Sequence, residues 1–169
     1  MEKTNVMRLL DKAEISYKPH FYDNSLTDGE KIAEVLKEDP YSVFKTLVTR
    51  GSDKEYYVFL VPVNFSLNLK NAAKAVNVKS IEMIRQKELL PLTGYIHGGC
   101  SPIGMKKKFK TVIDETMLLN EKVFVSGGKV GCQIEIDPQN LINYVGAILA
   151  DIIEIKEYKN DWIQSWIFL

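Results

Sequence analysis

Two strongly apolar runs that stand close together in the chain most constrain its fold. VFKTLVT occupies residues 43–49 and YYVFLVPV occupies residues 56–63, and both are rich in β-branched and aromatic residues. The polar segment RGSDKE lies between them, so the pair is predicted to form a β-hairpin. Because helical patterns occur on both sides of this hairpin, the sequence predicts a mixed α/β sheet rather than an all-parallel one.

The helical patterns have recognisable ends. Thr27 is the expected N-cap of a helix that ends before Pro40, and Asn68 is the expected N-cap of a helix after the hairpin. A shorter helix is predicted from residue 80 until Pro91. Further strands are predicted at residues 110–114, 122–126 and 131–136, with a glycine turn between the last two. A final helix is expected to begin at Asp137 and Pro138 and to end at Gly146.

Composition limits the size and the partners of the protein. A chain of 169 residues, 46% of them hydrophobic, suits one domain with a real core. Lys and Arg total 22, as do Asp and Glu, so a polyanionic partner has to be bound locally. No apolar run approaches the ~20 residues of a membrane span, and no signal-peptide pattern opens the chain. With only two cysteines, these features lead us to expect a cytoplasmic protein.

A glycine-rich stretch, GYIHGGCSPIG at residues 94–104, cannot be an ordinary helix or strand because it holds four glycines and a proline. It is not a phosphate-binding loop, since Met105 stands between the second glycine and the lysine of that pattern. The second glycine cluster, SGGKVG at residues 126–131, lacks the first glycine of a dinucleotide-binding motif and joins two strands. No cofactor is therefore predicted.

The two histidines and two cysteines of the chain are candidates for metal binding or nucleophilic catalysis. They are His20, His97, Cys100 and Cys132, and they lack the paired spacing of a zinc site, so no metal is predicted. A Cys100 nucleophile with His97 as its base remains an alternative, although the sequence does not fix the geometry that it needs.

Lys45 interrupts the first apolar run. Burying an unpaired ammonium group is costly, so the strand either lies at an edge with its lysine reaching solvent or directs the lysine into a polar cleft. A lysine in such a cleft, beside a glycine bend with free backbone N–H groups, is suited to acyl transfer.

Five segments together carry a family resemblance: FKTLV (44–48), LNLKNAAKAV (67–76), TGYIHGGCSPIG (93–104), KTVID (110–114) and FVSGGKVG (124–131). In this order they closely resemble the YbaK family of aminoacyl-tRNA deacylases, free-standing relatives of the editing domain of bacterial prolyl-tRNA synthetases. The resemblance implies a strongly twisted, barrel-like mixed β-sheet flanked by helices. It covers most of residues 1–152, which are expected to form the domain, and residues 153–169 are expected to be a Trp-containing extension that packs on the domain or docks a partner.

The same resemblance implies the site. Lys45 corresponds to the essential lysine of the family, and Gly98, Gly99, Ser101, Pro102 and Gly104 correspond to its glycine bend. Our hypothesis assigns the backbone amides of residues 98–101 to a developing oxyanion. The implied catalytic residues are Lys45, Gly98, Gly99 and Ser101. The expected substrate-binding residues are Tyr22, Cys100, Pro102, Gly104, Ser126 and Gly127, together with Lys106, Lys107 and Lys108 of the basic run that follows the bend. Within this set the thiol of Cys100 is expected to serve packing.

The substrate implied is Cys-tRNA(Pro), with Cys-tRNA(Cys) as a second candidate, and a prolyl-tRNA synthetase is a possible partner. In the implied reaction the thiol of the substrate attacks its own ester. The basic run MKKKFK at residues 105–110 is expected either to meet tRNA phosphates or to be a solvated face. Deacylation of another small aminoacyl group, such as alanine, and a non-catalytic adaptor remain alternatives.

Overall fold

The computed structural model describes residues 2–155. The helices in this range are α1 (Asn5–Lys12), α2 (Gly29–Leu36), α3 (Leu69–Ala75), α4 (Gln86–Thr93) and α5 (Pro138–Val145). Short 3₁₀ helices lie at Pro40–Ser42 and Glu115–Leu119. None of the helices within residues 2–155 has the length and apolar character that crossing a bilayer requires.

The strands of the same range form three sheets. They are β1 (Tyr17–Phe21), β2 (Phe44–Gly51), β3 (Tyr56–Pro62), β4 (Ser66–Leu67), β5 (Ile81–Met83), β6 (Lys110–Asp114), β7 (Val123–Ser126), β8 (Cys132–Ile136), β9 (Ile148–Ala150) and β10 (Ile153–Glu154). The sheet orders are β5-β2-β3-β6-β9, β1-β8-β7 and β4-β10. Since β2 and β3 are antiparallel while β3 and β6 are parallel, the predicted mixed sheet is confirmed. Its barrel-like closure stays a prediction.

Both predicted hairpins are confirmed. β2 pairs with β3 from Phe44 opposite Pro62 to Arg50 opposite Tyr56. β7 pairs with β8 across the second glycine turn. A parallel bridge between Val43 and Phe124 joins the two hairpins at the start of β2. This bridge brings the glycine turn after β7 towards the Lys45 end of β2.

Local capping signals explain where most helices begin and end. The Asn68 side chain accepts a hydrogen bond from Asn71 N, and Asp137 caps α5, which Pro138 opens and Gly146 closes at a φ of +66°. The prediction for α2 was wrong by one residue. Asp28, rather than Thr27, is its N-cap, because the Asp28 carboxylate accepts a hydrogen bond of 2.9 Å from Glu30 N.

The predicted helix over residues 80–91 was wrong in two respects. Residues 81–83 form strand β5, which pairs with the end of β2, and α4 begins only at Gln86. Pro91 lies inside α4 rather than ending it. The hydrogen bond that Pro91 cannot make is the one to the carbonyl of Lys87, an exposed residue, so water can satisfy that oxygen.

Strand β3 divides the core. Val58 and Leu60 pack into one cluster with α1, β7, β8 and α5, whereas Phe59 and Val61 pack into a second cluster with α3 and β5. Because successive side chains of a strand point to opposite faces, β3 is apolar throughout. The five-stranded sheet is therefore covered on both faces.

Candidate active site

A cavity of about 570 Å³ lies where the start of β2, the N-terminus of α2, the glycine bend and the β7–β8 sheet meet. Its volume is in the range of about 300–1,000 Å³ that is usual for small-molecule sites. Its lining residues are Thr27, Asp28, Gly29, Glu30, Ile32, Val43, Phe44, Lys45, Thr46, Leu47, Val63, Leu89, His97, Gly98, Cys100, Ser126 and Gln133. The cavity thus brings together residues that are far apart in the sequence.

Lys45 is half-buried and lines this cavity. It pairs with Val61 of β3, while β5 covers β2 only from Thr49 onwards. Lys45 therefore lies at an end of β2 that has a sheet partner on one side and the cavity nearby. On its other side, within the described part of the chain, this end of β2 meets only the isolated bridge between Val43 and Phe124. Each alternative for the strand therefore holds in part, because β2 is incompletely paired at Lys45 and Lys45 lines a cavity.

Two close contacts with neighbouring segments fix the position of the glycine bend. Gly98 has a φ of +87°, and a Cβ on it would stand 2.7 Å from Thr27 Cγ2. A Cβ on Gly99 would stand 3.0 Å from Val130 N, in the second glycine turn. The bend therefore packs against the segment just before α2 on one side and against the β7–β8 turn on the other.

The backbone N–H groups of the bend differ in what they bind. Gly99 N donates a hydrogen bond of 3.0 Å to the carbonyl of Ile96. Within residues 2–155, the N–H groups of Gly98, Cys100 and Ser101 have no protein acceptor. Of these three residues, Gly98 and Cys100 line the cavity. Their amides are thus available to a developing oxyanion, whereas the Gly99 amide is already engaged.

Ser101 faces away from the cavity into the bend itself. It is fully buried, and its hydroxyl oxygen accepts a hydrogen bond of 3.1 Å from Ile103 N. The buried hydroxyl of Tyr95 donates to the carbonyl of Ile103, and burial raises the pKa of Tyr95 to about 12. These bonds hold the shape of the bend.

Neither cysteine has the environment of an activated nucleophile. Cys100 lines the cavity, and burial raises the pKa of its thiol to about 12. Burial also raises the pKa of Cys132, whose Sγ would stand 2.4 Å from a Cβ on Gly127. His97 is exposed and lines the same cavity as Cys100. Because a thiol with so high a pKa stays protonated at neutral pH, this environment does not favour a Cys100–His97 catalytic dyad. Within residues 2–155, no group of three or more His, Cys, Asp or Glu side chains is arranged to hold a metal ion.

The second glycine turn contributes Ser126 to the cavity. Its hydroxyl oxygen accepts a hydrogen bond of 3.1 Å from Gly128 N, which leaves the hydroxyl proton available to a ligand. Tyr22 contacts this wall indirectly, since Gln133 Nε2 donates to its hydroxyl at 3.4 Å. Burial raises the pKa of Tyr22. Tyr22 and Gly127 are not among the residues that line the cavity.

Pro102 and Gly104 do not line the main cavity, and neither do the lysines of the basic run. Pro102, Gly104, Lys107 and Lys108 line a separate cavity of about 340 Å³ on the other side of the bend. Lys106 packs at Gly94, where a Cβ would stand 3.4 Å from Lys106 Cγ.

Two of these lysines lie at helix ends. Gly94 is the C-cap of α4, and Gly146, near the Nζ of Lys108, is the C-cap of α5. Because the C-terminal end of a helix carries partial negative charge, Lys106 and Lys108 also stabilise these ends.

Sequence reasoning missed Gln133 and the α2 residues of the cavity. Gln133 pairs with Ser126 in the β7–β8 hairpin and with His20 of β1. The sequence does contain a signal, namely a polar residue between the apolar residues Cys132 and Ile134. Its meaning becomes clear only once the strand pairing is known, because the pairing places Gln133 opposite Ser126.

The sequence and the fold resemble those of known proteins. The family model described as "Aminoacyl-tRNA editing domain" matches residues 23–144. The chain belongs to this aminoacyl-tRNA editing domain family. Members of the family that resemble it include free-standing proteins and parts of larger enzymes.

One free-standing relative comes from Enterococcus faecalis (strain ATCC 700802 / V583) and bears the name "Putative Cys-tRNA(Pro)/Cys-tRNA(Cys) deacylase EbsC". It is 39% identical over 89% of this chain and 93% of its own length. The "Proline--tRNA ligase" of Helicobacter pylori (strain G27) is 29% identical over 78% of this chain, which spans only 24% of that enzyme. The crystal structure of "hypothetical protein APE2540" shares the fold, with a TM-score of 0.83 over 89% of this chain and 100% of its own, at 22% identity.

Proposed function

We propose that this protein is a trans-editing aminoacyl-tRNA deacylase that releases cysteine from Cys-tRNA(Pro), and also from Cys-tRNA(Cys). The observation that carries the proposal is that Lys45, the glycine bend and Ser126 meet at one cavity. The name of the Enterococcus faecalis relative supports the substrate class, because the two chains correspond over nearly their whole lengths.

In the proposed reaction the substrate supplies its own nucleophile. The cysteinyl sulfur attacks the ester carbonyl carbon, so that a C–S bond forms and the carbonyl oxygen becomes an oxyanion. The C–O bond to the ribose then breaks, and the ribose oxygen gains a proton in place of the one that the thiol lost. Water later opens the small cyclic thioester. This route suits a site whose own cysteines remain protonated.

The protein contributes position and electrostatics. The N–H groups of Gly98 and Cys100 bind the oxyanion, and Lys45 holds the terminal nucleotide or the carbonyl. Ser126 shapes the pocket, and Tyr22 supports its wall through the hydrogen bond with Gln133. Correct positioning can lower a barrier by ~7–11 kcal/mol, and one oxyanion donor contributes about 3 kcal/mol. These two effects suffice without a protein nucleophile.

The rest of the tRNA lies outside the cavity in this proposal. Lys107 and Lys108, on the far side of the bend, contact phosphates of the acceptor stem. Because these charges are few, the chain alone binds tRNA weakly. A prolyl-tRNA synthetase bound alongside supplies the specificity for the tRNA. The reaction takes place in the cytoplasm, where aminoacyl-tRNA is made and used.

The test is an assay of ester loss from Cys-, Ala- and Ser-tRNA(Pro) with the purified full chain. We expect loss of cysteine, with a decrease of at least about 100-fold in Lys45→Met, because a charge that binds the reacting group is removed. Arg50→Met, which removes a cation at the other end of β2, is the matched control and keeps full activity.

Each other outcome has its own meaning. Ester loss from none of the three substrates indicates a non-catalytic adaptor. Preferential loss of alanine indicates a deacylase of the alanine-editing type. Full activity in Lys45→Met removes the role assigned to that residue.

A further inference from the structure

Two oxygens at the cavity lack hydrogen-bond partners. Among residues 2–155, three buried side-chain polar atoms have no partner, namely Thr46 Oγ1, Asn64 Oδ1 and Gln133 Oε1. Thr46 and Gln133 both line the main cavity, whereas Asn64 does not. Native proteins pair nearly all of their buried polar atoms, so two exceptions at one site call for a ligand that pairs them.

Gln133 is rigidly placed for such a role. It lies in the middle of β8, between β1 and β7, and its side chain is only 5% exposed. Its Nε2 donates to the hydroxyl of Tyr22 at 3.4 Å, which directs its Oε1 elsewhere. An amide oxygen that is fixed in this way and shielded from water is a strong acceptor for a charged donor.

We propose that Gln133 Oε1 accepts a hydrogen bond from the α-ammonium group of the aminoacyl ester, with Thr46 Oγ1 as a second acceptor. This inference rests on the proposed function and names the part of the substrate that these residues recognise. An ammonium group offers three N–H donors and no acceptor, so it suits the Gln133 amide oxygen, which can only accept, and the Thr46 hydroxyl oxygen, which can accept as well as donate. Asp28 and Glu30 also line the cavity, so acidic residues there outnumber Lys45, and this favours a cationic group.

The thiol of the substrate is a poorer match for Gln133. A thiol is a weak donor, and in the proposed reaction its sulfur must reach the ester carbonyl. Holding the ammonium group instead fixes the α-carbon and turns the side chain towards the carbonyl. The consequence is specificity for esters with a free amino group, so that N-acylated esters such as peptidyl-tRNA are spared.

The experiment compares two non-hydrolysable ligands by calorimetry. One is 3′-deoxyadenosine that carries cysteine through a 3′-amide, and the other carries 3-mercaptopropionate, which has the thiol but no amino group. The wild-type chain is expected to bind the cysteine ligand about 10- to 100-fold more tightly, as a bond to a charged donor implies. Gln133→Met removes this preference, Gln133→Glu keeps or increases it, and Thr46→Val reduces it.

Asn64→Leu is the matched control, since it removes the third unpartnered buried oxygen, which does not line the cavity, and it keeps the preference. Equal binding of the two ligands by the wild-type chain, binding of neither, or an unchanged preference in a folded Gln133→Met variant would overturn the inference. Weaker cysteine binding in Gln133→Glu would also contradict it, because that result means that a donor rather than an acceptor faces the ligand.

The experiments distinguish failure of the ammonium site from failure of the proposed deacylase activity. A chain that prefers the cysteine ligand but does not deacylate Cys-tRNA(Pro) has the ammonium site without the activity. A chain that deacylates Cys-tRNA(Pro) and binds both ligands equally has the activity without the ammonium site.

Discussion

Gly99 lies so close to the backbone of Val130 that a Cβ on Gly99 would stand only 3.0 Å from Val130 N. The contact joins the two glycine-rich segments, which are about thirty residues apart in the sequence. Unlike Gly98, Gly99 has no positive φ, so close approach rather than backbone conformation requires the glycine. The position of the bend beside the cavity therefore depends on this contact.

Replacing Gly99 by alanine is expected to lower the rate of deacylation by at least about 10-fold, because a shift of about 1 Å in a catalytic group is enough to misalign it. Rates on Cys-tRNA(Pro) and the melting temperature measure the effect. Gly146→Asn is the control, because a Cβ there would meet only the flexible end of Lys108, at an ordinary contact distance of 3.8 Å, and asparagine tolerates the positive φ. A Gly99→Ala variant with wild-type rates would show that the contact does not position the bend.

Cys100→Ala is expected to retain deacylase activity within about 3-fold, because a thiol with a pKa of about 12 is protonated at neutral pH. A loss of activity of 100-fold or more in a folded variant would mean that this thiol takes part in the reaction.

The same thiol affects stability at alkaline pH. Its pKa is raised by burial from 9.0 to about 12, so the unfolded chain loses the proton first and stability falls as the pH rises from about 9 towards 12. Cys100→Ala is expected to show a shallower fall than the wild-type chain in urea unfolding at pH 8, 9 and 10. Parallel curves for the two proteins would contradict this prediction.

Asp114 holds the C-terminal part of the described fold. Its fully buried carboxylate accepts hydrogen bonds from Ile152 N at 2.9 Å and from Thr116 N at 3.1 Å. Asp114→Ala leaves both N–H groups without this acceptor and is expected to lower the free energy of unfolding by about 3 kcal/mol. The exposed Asp151→Ala is the control and changes it by less than about 0.5 kcal/mol. Similar urea midpoints for the two variants would refute the assigned role.

The basic run gives a prediction about tRNA. Changing Lys107 and Lys108 together to glutamine is expected to raise KM for Cys-tRNA(Pro) and to reduce its dependence on salt. Hydrolysis of cysteinyl-adenosine, which lacks the acceptor stem, stays unchanged. Lys54→Gln, in the β2–β3 turn, is the control. An equal effect on both substrates would place these lysines in the catalytic site rather than on the tRNA path.

Local signals made much of the fold predictable. The hairpins follow from apolar runs that flank polar or glycine turns, and the limits of α5 follow from Asp137, Pro138 and Gly146. Strands β1, β5 and β9 were missed because three to five residues carry too little pattern, so their partners determine them. Most of the predicted extension, residues 156–169, lies outside the described residues.

The site was predictable only in part. A lysine in an apolar strand and a glycine bend are local signals, and both features line the cavity. Ser101 shows the limit of such reasoning, since spacing placed it in the bend but could not show that its hydroxyl binds Ile103 N. Gln133 is a residue that the sequence reasoning missed, because its place in the cavity depends on a strand pairing with Ser126 that no local pattern predicts.

The most direct test of the account compares the rates at which the wild-type chain deacylates Cys-tRNA(Pro) and Ser-tRNA(Pro). The two esters differ by one atom, sulfur against oxygen, so binding alone separates them little. If the substrate attacks itself, cysteine is released at least about 100-fold faster, because a hydroxyl is a far weaker nucleophile than a thiolate. Equal rates would contradict the account, since they would mean that water or a protein group attacks the ester.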